Sequence, residues 1–595
     1  MADLGDFSDR DEDEPGDDLE RGGTATASTD GFESLPVEST PALDGLGTIA
    51  VSEGLTIAED ARDTRVRAYV TTDNRGAVRL GSYVIAPYPD EELLFCRISG
   101  LEYAQEFEAD DATEIHARRA MRADHVEERD YKFIATLDPV AVLTPEGGEL
   151  TRRMPDRVPK PETAIREAAD RREIKRGLDI PESGVFVGHL AVGGQTVRTA
   201  ATPPTIDYRL RDDYEEGDPL LFRHTLIAGG TGSGKTHVAK NILRQYLGRA
   251  YPMGEGREPK LAVVQFDPQD EYAQMHDPPD APAEFEDRVR REDIEVGGYE
   301  DTRALVPQIA GASYDGANHR AEWVSFTIPF VMVRQNPWLV AGSGLNDNQY
   351  QALTELLSQF FSDYGDEGSY QEFRAFLDDP ARREQLHDRG RVHEASYDAI
   401  QRRVSGFGHV FDQDAEPITD LVHELVRPGG LTTVPTYHIS QRRAAETVVL
   451  AVASLLVDEK LSNDPDHDRI KETPLVVGMD EAHTFLTDAE TVQARRVIGK
   501  FADAAKQGRK ERLGLFLITQ DPQDIADPVF KQINTTFVLN LGDQAAIDAV
   551  NVPTTLEGRI PYMQKGGMVV YSPDNSEPVE LTGLEHCLTR HGRGR

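Results

Sequence analysis

Residues 226–236 read LIAGGTGSGKT, an apolar run followed by a glycine-rich loop that ends in lysine and threonine. Beyond the loop, Val238, Ile242, Leu243 and Leu247 recur at helical spacing. A strand, a glycine loop and a helix in this order are the context of a phosphate-binding P-loop. The sequence therefore predicts an α/β fold built around a nucleoside triphosphate site.

The predicted loop supplies three kinds of phosphate contact. Glycines allow main-chain N–H groups to turn inward around the phosphates, Lys235 adds a positive charge, and the Thr236 hydroxyl can coordinate Mg²⁺. We therefore expect ATP and Mg²⁺ as cofactors. The nucleotide-binding residues predicted from the loop are Gly229, Gly230, Thr231, Gly232, Ser233, Gly234, Lys235 and Thr236.

A second motif, LVVGMDEAH at residues 475–483, is an apolar strand that ends in two carboxylates. A P-loop enzyme needs one carboxylate to hold the Mg²⁺ shell, and Asp480 is predicted to do so. It needs another to position and deprotonate the attacking water, which predicts Glu481 as the catalytic base. His483 follows directly and is predicted to be a structural or coupling residue rather than a base.

Two further apolar runs end in polar side chains. Residues 261–267 end in Asp267, at the carboxyl end of a strand, where open α/β sheets place their ligands. Asp267 is predicted to contact Mg²⁺ or nucleotide, or alternatively to cap a helix. Residues 515–520 end in Gln520, whose amide can hydrogen-bond both a γ-phosphate and the attacking water.

A basic stretch, KQGRKER at residues 506–512, precedes this last strand. Multimeric ATPases use a cation from a neighbouring subunit to neutralise charge in the transition state, and Arg509 is our first candidate for that role. The alternative is a solvated helix end, where cations interact favourably with the helix dipole.

The length of 595 residues predicts three or four domains. Short apolar runs broken by Gly, Pro, Asp and Asn predict a small barrel or sandwich upstream of the P-loop, with strands at 66–70, 83–85, 93–98, 131–134 and 184–188 and a helix at 162–176. The later core strands are predicted at 224–228, 261–266, 475–479, 513–519, 535–541 and 568–571. The predicted division is an acidic disordered tail (1–48), a β domain (49–200), an ATPase core (201–272 and 431–575), a mostly helical insertion (273–430) and a C-terminal segment (576–595).

The chain is strongly acidic, with 105 Asp and Glu against 64 Lys and Arg and a net charge of −41. Only 13 of the basic residues are lysine. This composition is typical of a halophile, such as a haloarchaeon; the alternative is a mesophilic protein with one acidic tail. At molar salt the screening length is only about 3 Å, so the net charge does not exclude a DNA partner.

The two cysteines are far apart in sequence and lack metal-site spacing, which argues against a zinc site or a disulfide framework. No stretch approaches 18 apolar residues, and no signal peptide pattern is present. We therefore expect a cytoplasmic protein without a membrane partner.

The ordered set of motifs resembles the HerA-type P-loop ATPases, relatives of the FtsK pump. The likeness covers about residues 180–585 and consists of RH before the first core strand, then GGTGSGKT, DPxxEY, DEAH, GRK and a strand ending in TQ. Two positions depart from the pattern, since many members have glycine where Asp270 stands and arginine where Asp521 stands. The insertion at 273–430 is also longer than usual.

The resemblance implies a RecA-like core, an upstream HAS-barrel and a homo-hexameric ring with ATP at the subunit interfaces. It implies a DNA helicase or translocase that moves on double-stranded DNA. Archaeal members act in DNA end resection and repair with the nuclease NurA, so a NurA-like nuclease, or the break-repair nuclease complex, is the expected partner at the barrel end. The C-terminal segment would brace a neighbouring subunit. Two alternatives remain: a related motor for conjugation or antiviral defence, and an ATP-dependent scaffold that does not move along DNA.

Overall fold

The computed structural model describes residues 45–51, 54–105, 131–214, 217–254, 256–342, 344–388, 392–487, 491–550, 552–575 and 577–592. The predicted acidic tail lies outside these ranges, except for residues 45–48.

The first described region forms a closed β-barrel. Its strands are β1 (Gly47–Ala50), β2 (Val66–Val70), β3 (Tyr83–Pro87), β4 (Leu93–Gln105), β5 (Tyr131–Glu146), β6 (Glu149–Arg153) and β7 (Ala164–Glu167). They pair antiparallel in the order β2-β1-β7-β3-β4-β5-β6, and an additional β2–β5 pairing closes six of them into a ring. Alternate residues of β2, Val66, Ala68 and Val70, are buried, as a half-buried strand requires. The predicted small barrel is therefore confirmed.

The remaining strands form one large sheet. They are β8 (Val185–Val192), β9 (Gln195–Thr196), β10 (Asp207–Leu210), β11 (Thr225–Ala228), β12 (Ala262–Asp267), β13 (Thr302–Pro307), β14 (Glu322–Thr327), β15 (Glu416–Pro417), β16 (Leu431–Pro435), β17 (Leu475–Met479), β18 (Leu513–Thr519), β19 (Thr535–Val538), β20 (Gly567–Tyr571) and β21 (Val579–Thr582). Their order is β10-β8-β21-β20-β19-β11-β18-β17-β12-β16-β13-β14-β15, with β9 beside β8. The pairings from β19 to β15 are parallel, so the carboxyl ends of these strands share one edge.

Helices cover the sheet, as a parallel sheet buried on both faces requires. They are α1 (Arg171–Leu178), α2 (Lys235–Tyr246), α3 (Ala283–Arg291), α4 (Asp347–Tyr364), α5 (Tyr370–Asp378), α6 (Pro380–Asp388), α7 (Glu394–Val404), α8 (Val422–Leu425), α9 (Arg442–Leu461), α10 (Asp468–Glu472), α11 (Val492–Glu511), α12 (Asp527–Phe530), α13 (Gln544–Ala549) and α14 (Thr554–Glu557). The predicted mixed α/β fold is confirmed.

Two predictions in the β region differ from the structure. The run at 184–188 does form a strand, β8, but it pairs with β10 and β21 and so belongs to the large sheet rather than to the barrel. The helix predicted at 162–176 is divided into β7 and α1. Ile165 of β7 is buried in the barrel core, and Asp170 ends the strand segment by accepting a hydrogen bond from the Arg172 N–H at the start of α1.

The segment predicted as a mostly helical insertion also contains two strands of the main sheet, β13 and β14, which extend it beyond β16. Helices α4, α5 and α7 follow and share an aromatic core around Phe330, Phe360 and Phe373. The sequence predicted the mostly helical character of this segment but missed the two strands, because short apolar runs between Pro- and Gly-rich connectors are ambiguous.

The C-terminal segment packs on its own ATPase core in the described part of the chain. The Leu588 N–H donates to Asn241 Oδ1 at 2.8 Å, and the Lys240 ammonium donates to the Arg590 carbonyl at 2.8 Å. Lys240 is fully buried on α2, and this carbonyl is one of the acceptors that its charge requires. These contacts lie within one subunit, and the brace for a neighbouring subunit that the family resemblance implies stays a prediction.

The barrel and the sheet meet through a shared apolar core. Phe95 of the barrel and Leu178 of α1 are buried together with residues of the large sheet. Gly177 makes the approach possible, since a Cβ at this position would lie 2.6 Å from the Phe95 ring. An ion pair at 3.9 Å joins Arg97 of β4 to Glu577, just before β21.

Candidate nucleotide and hydrolysis site

The glycine loop follows β11, a central strand of the parallel sheet, and leads directly into α2. Gly232 and Gly234 have φ angles of +80° and +106°, which L-residues rarely adopt. Gly229 is required for space, because a Cβ there would lie 2.6 Å from Ser233 Oγ. The predicted strand, loop and helix are all present, so the main-chain N–H groups can converge on a phosphate chain.

Lys235 is folded onto its own loop. Its ammonium donates hydrogen bonds to the carbonyls of Gly229 at 2.8 Å and Gly230 at 3.2 Å. Burial lowers its pKa, and the carboxylates of Glu481 and Asp480 act in the opposite direction. The two predicted motifs are therefore close enough for their charges to interact.

Asp480 and Glu481 stand at the carboxyl end of β17, on the same sheet edge as the loop. Asp480 is buried, and its Oδ1 accepts a 3.0 Å hydrogen bond from the Glu481 N–H. Burial, together with the charges of Asp267 and Glu481, raises the pKa of Asp480 to about 7. The negative charges of neighbouring carboxylates make it harder for Asp480 to ionise. A bound cation would stabilise the ionised carboxylates.

Glu481 is held between the strand end and Gln520. Its backbone is left-handed, with a φ of 53°. One carboxylate oxygen, Oε1, accepts a 2.5 Å hydrogen bond from Gln520 Nε2. The other, Oε2, is buried and has no hydrogen-bond partner among the described residues.

Gln520 also contacts the phosphate loop, because its Oε1 accepts a 2.6 Å hydrogen bond from the Thr231 hydroxyl. A continuous chain of hydrogen bonds thus runs from Thr231 through Gln520 to Glu481. Sequence motifs indicated each of the three residues separately, but nothing in the sequence indicated this connection across 289 positions.

His483 extends this network on the other side of Glu481. Its Nδ1 lies 3.1 Å from the Thr519 hydroxyl and 3.5 Å from Glu481 Oε2, while Nε2 lies 3.6 Å from Asp521 Oδ2. Asp521, noted in the sequence only as a departure from the family pattern, is therefore part of the site.

His224, before β11, ties two elements behind the site together. The Leu515 N–H donates to its Nδ1 at 3.0 Å, and its Nε2 donates to the Ala505 carbonyl at 2.7 Å. Burial lowers the pKa of His224 to about 4, so the ring is neutral and each nitrogen has one role. Its function is to join β18 to α11.

Asp267 forms the capping contacts that the sequence offered as the alternative to a nucleotide or metal contact. Its carboxylate is fully buried and accepts hydrogen bonds from the main-chain N–H groups of Gln269, Glu271 and Tyr272, at 3.3, 3.0 and 2.7 Å. Both oxygens are therefore occupied by the turn that follows β12. Its charge still reaches the site, since it contributes to the raised pKa of Asp480.

Arg509 lies far from the nucleotide loop of its own chain. It is near the end of α11, half-exposed, and forms an ion pair with Asp218. Helix α11 leads into the start of β18, whereas Gln520 follows its end. At about 3.3 Å per residue, this strand separates the two side chains by roughly 20 Å.

Residues 216–456 match the family model described as the central domain of the helicase HerA. This match supports a HerA-type P-loop ATPase. The matched residues include the glycine loop and the helical segment, while Asp480, Glu481 and Gln520 follow them in sequence.

The chain is also similar to the DNA double-strand break repair helicase HerA of Pyrococcus furiosus, with 32% identity over 68 residues. That stretch is 11% of this chain and 12% of the relative, so the match spans about an eighth of the relative's length.

Among solved structures, VirB4 of Thermoanaerobacter pseudethanolicus is similar at 13% identity over 68% of this chain and 97% of that one, with a TM-score of 0.41. The plasmid coupling protein TrwB in complex with ADP and Mg²⁺ is similar at 12% identity over 69% and 99%, with a TM-score of 0.41.

The residues present fit a Mg²⁺ ion. Mg²⁺ keeps several water ligands and takes only one or two from the protein. Thr236 and Asp480 would be those two, because Asp480 is buried beside Glu481 at the same sheet edge as the loop, where a cation would offset its burial and its negative neighbours. In the described part of the chain, no group of three or more His, Cys, Asp or Glu side chains could hold a metal ion.

Among the helices of the described ranges, none is long and apolar enough to cross a membrane.

Proposed function

We propose that this chain is the motor subunit of a hexameric ring that hydrolyses ATP to move along double-stranded DNA. The observation that carries the proposal is the hydrogen-bond chain from Thr231 through Gln520 to Glu481. It connects the phosphate loop to the carboxylate that acts on water. Such a connection makes the position of the catalytic base respond to the nucleotide, which a motor requires.

Nucleotide binding begins with Lys235. In the described conformation its ammonium is satisfied by two loop carbonyls. Phosphate oxygens are stronger, charge-assisted acceptors, so the lysine exchanges these carbonyls for the phosphates of ATP. The Gly229 and Gly230 carbonyls are then released, which changes the loop in which Thr231 lies.

Hydrolysis uses Glu481 Oε2, the carboxylate oxygen that has no hydrogen-bond partner among the described residues. A water held near Oε2 transfers a proton to this carboxylate as its oxygen attacks the γ-phosphorus, and the bond to ADP breaks. Gln520 orients the carboxylate through Oε1. When bound, Mg²⁺ at Thr236 and Asp480 supplies positive charge for the phosphate oxygens.

The position of Arg509, far from its own nucleotide loop, supports the proposed ring. We propose that Arg509 serves the ATP of the neighbouring subunit.

In the cell, the motor would feed DNA ends to a NurA-like nuclease during resection and repair in a high-salt cytoplasm. Alternatives are a related motor for conjugation or defence, and a scaffold without movement; a neighbouring nuclease gene, or a conjugation or defence gene cluster, would distinguish the two motor roles.

ATP turnover by the purified full-length protein in high KCl, with and without linear duplex DNA, tests the proposal. A motor is expected to hydrolyse ATP faster with DNA and to displace a triplex-forming strand from the duplex. Turnover that DNA does not change, with no displacement, would contradict the motor and favour the scaffold.

A further inference from the structure

An arginine-lined cavity of about 440 Å³ opens where the helical segment meets the first turn of α9. Its walls include Arg402 and Arg403 from α7 and Arg443 from α9. Gly344, which precedes α4, and Gln349, in its first turn, also line the cavity. Three cations thus converge from two elements that are distant in sequence.

None of these three arginines forms an ion pair with another described residue. The nearby carboxylates are already paired elsewhere. Those pairs are Glu446 with Arg442 at 2.7 Å, Asp398 with Arg383 at 2.7 Å, and Asp347 with Arg495 at 2.6 Å. The positive charge of the cavity is therefore not neutralised by its surroundings, in a chain whose net charge is −41.

The Arg403 guanidinium lies against the main chain at Gly344, where a Cβ would collide with it. The Arg402 Nε donates a hydrogen bond to the Asp398 carbonyl at 3.2 Å. Arg402 and Arg443 are exposed and Arg403 is partly buried, so the three guanidinium groups are accessible to a ligand that enters the cavity.

We propose that this cavity binds phosphate groups, and that these are backbone phosphates of duplex DNA. Guanidinium groups match phosphate oxygens in geometry and charge, and they bind them with paired hydrogen bonds. The choice of DNA rests on the proposed function; a free phosphate or pyrophosphate has the same chemistry and is the other possible source.

The cavity lies at the same sheet edge as the nucleotide loop. Residues 436–441 connect the carboxyl end of β16 to α9, and β16 is four places from β11 in the sheet. At about 4.8 Å per strand, the strands that lead to the two sites are roughly 20 Å apart. The Thr436 N–H donates to the Asp267 carbonyl at 3.2 Å, and the Asp480 N–H donates to the Phe266 carbonyl at 3.3 Å. These hydrogen bonds connect the start of the segment that leads to Arg443 with the strand end that carries Asp480.

The test is a full-length variant that carries R402Q, R403Q and R443Q. Fluorescence anisotropy with labelled duplex DNA gives its affinity over a range of KCl concentrations. The logarithmic salt slope is expected to fall by about 0.9 for each arginine that contacts a phosphate, hence by up to about 2.7. R442Q is the matched control, because it removes the same charge from the adjacent residue, whose side chain is exposed, paired with Glu446 and outside the cavity. Melting temperatures of all variants check folding.

Calorimetric binding of inorganic pyrophosphate to the same proteins shows whether the cavity binds DNA phosphates or a free phosphate compound. The glycine loop is the same in all of these proteins. If the triple variant binds one pyrophosphate fewer per chain, the lost site is therefore the cavity. If the salt slope of DNA binding is smaller in the triple variant, the cavity binds DNA. If the triple variant loses only the pyrophosphate site and keeps the wild-type salt slope, the cavity binds a free phosphate. If the triple variant equals R442Q in both measurements, the phosphate site is wrong, even where the wild type binds DNA and the motor proposal stands. If the wild type binds no DNA, the motor proposal fails and the pyrophosphate measurement alone decides the cavity.

Discussion

The Gln520 amide donates a 2.5 Å hydrogen bond to Glu481 Oε1, at the junction of two neighbouring strands. Glu481 reaches this position with a left-handed backbone, which costs a non-glycine residue of order 1 kcal/mol. The Asp480 carboxylate and the Thr484 N–H and hydroxyl bond to its main chain and stabilise that conformation. The carboxylate is thus fixed on both sides, with Oε2 left for chemistry.

Glu481→Gln is expected to bind ATP and to lose turnover by a factor of roughly 10² to 10⁴, because an amide cannot accept the proton of the attacking water. Nucleotide affinity, measured with a fluorescent ATP analogue, should stay near that of the wild type, since Lys235 and Thr236 are unchanged. Glu271→Gln is the control for loss of a nearby negative charge. Turnover close to the wild-type rate in Glu481→Gln would show that another group is the base.

Thr231→Val is expected to lower kcat about five- to tenfold with little change in KM. The substitution keeps the side-chain shape but removes the hydrogen bond to Gln520, which is worth about 1 kcal/mol. Thr231→Ser keeps the hydroxyl and should retain most of the rate. If KM for ATP rises in Thr231→Val while kcat stays constant, Thr231 serves nucleotide binding and the proposed link to Glu481 is wrong.

The sequence predicted those parts of the site that are local. Glycine spacing gave the loop, and apolar runs ending in polar residues placed Asp480, Glu481 and Gln520 at the carboxyl ends of strands. It could not decide the role of Asp267, because an aspartate after a strand has the same local pattern whether it caps a turn or binds a metal. It also could not assign β8 to the large sheet, since the pairing of β8 with β21 depends on residues almost 400 positions away.

Arg509 is expected to act on a neighbouring subunit. Arg509→Ala and Glu481→Gln should each be inactive alone, whereas mixed rings should recover part of the ATPase activity at interfaces that combine the two intact residues. Lys510→Ala, which removes the adjacent charge, is the control and should remain active. Full activity from a species that light scattering identifies as a monomer would exclude a role in trans.

Glu577→Gln is expected to raise the melting temperature at pH 8 and to leave it nearly unchanged at pH 4. Burial raises the pKa of Glu577 to about 7, although Arg97 opposes this. The pKa of this carboxyl is 4.5 in the unfolded chain and about 7 in the folded protein. The protonated carboxyl therefore stabilises the folded state fully below pH 4.5, and this stabilisation is lost as the pH rises through 7. The effect is of order 1–3 kcal/mol.

Thermal unfolding of the wild type and of Glu577→Gln from pH 4 to pH 8 shows whether the substitution raises or lowers the melting temperature. The exposed Glu149→Gln, in the barrel, is the control for a change of net charge and should follow the wild type. A wild type and a Glu577→Gln variant with parallel pH profiles would show that Glu577 is already ionised and paired with Arg97.

The barrel is the proposed docking layer for the nuclease, but its removal is a poor test. Truncation near Asp179 would expose the apolar contacts that Phe95 and Leu178 make with the large sheet. Loss of partner binding in such a protein could reflect a damaged core. Substitutions on the exposed barrel surface avoid this problem.

Met154→Asp combined with Val158→Asp is therefore expected to abolish capture of a purified NurA-like nuclease while the ATPase and the ring persist. Met154 is 80% exposed and Val158 41% exposed, just after β6, so both apolar side chains are accessible to a partner that docks on the barrel. Tyr571→Asp, an exposed aromatic residue of the large sheet, is the control and should still bind the nuclease. Unchanged capture by the double variant would place the nuclease elsewhere, whereas collapse of the ring, seen by light scattering, would assign this barrel surface to assembly.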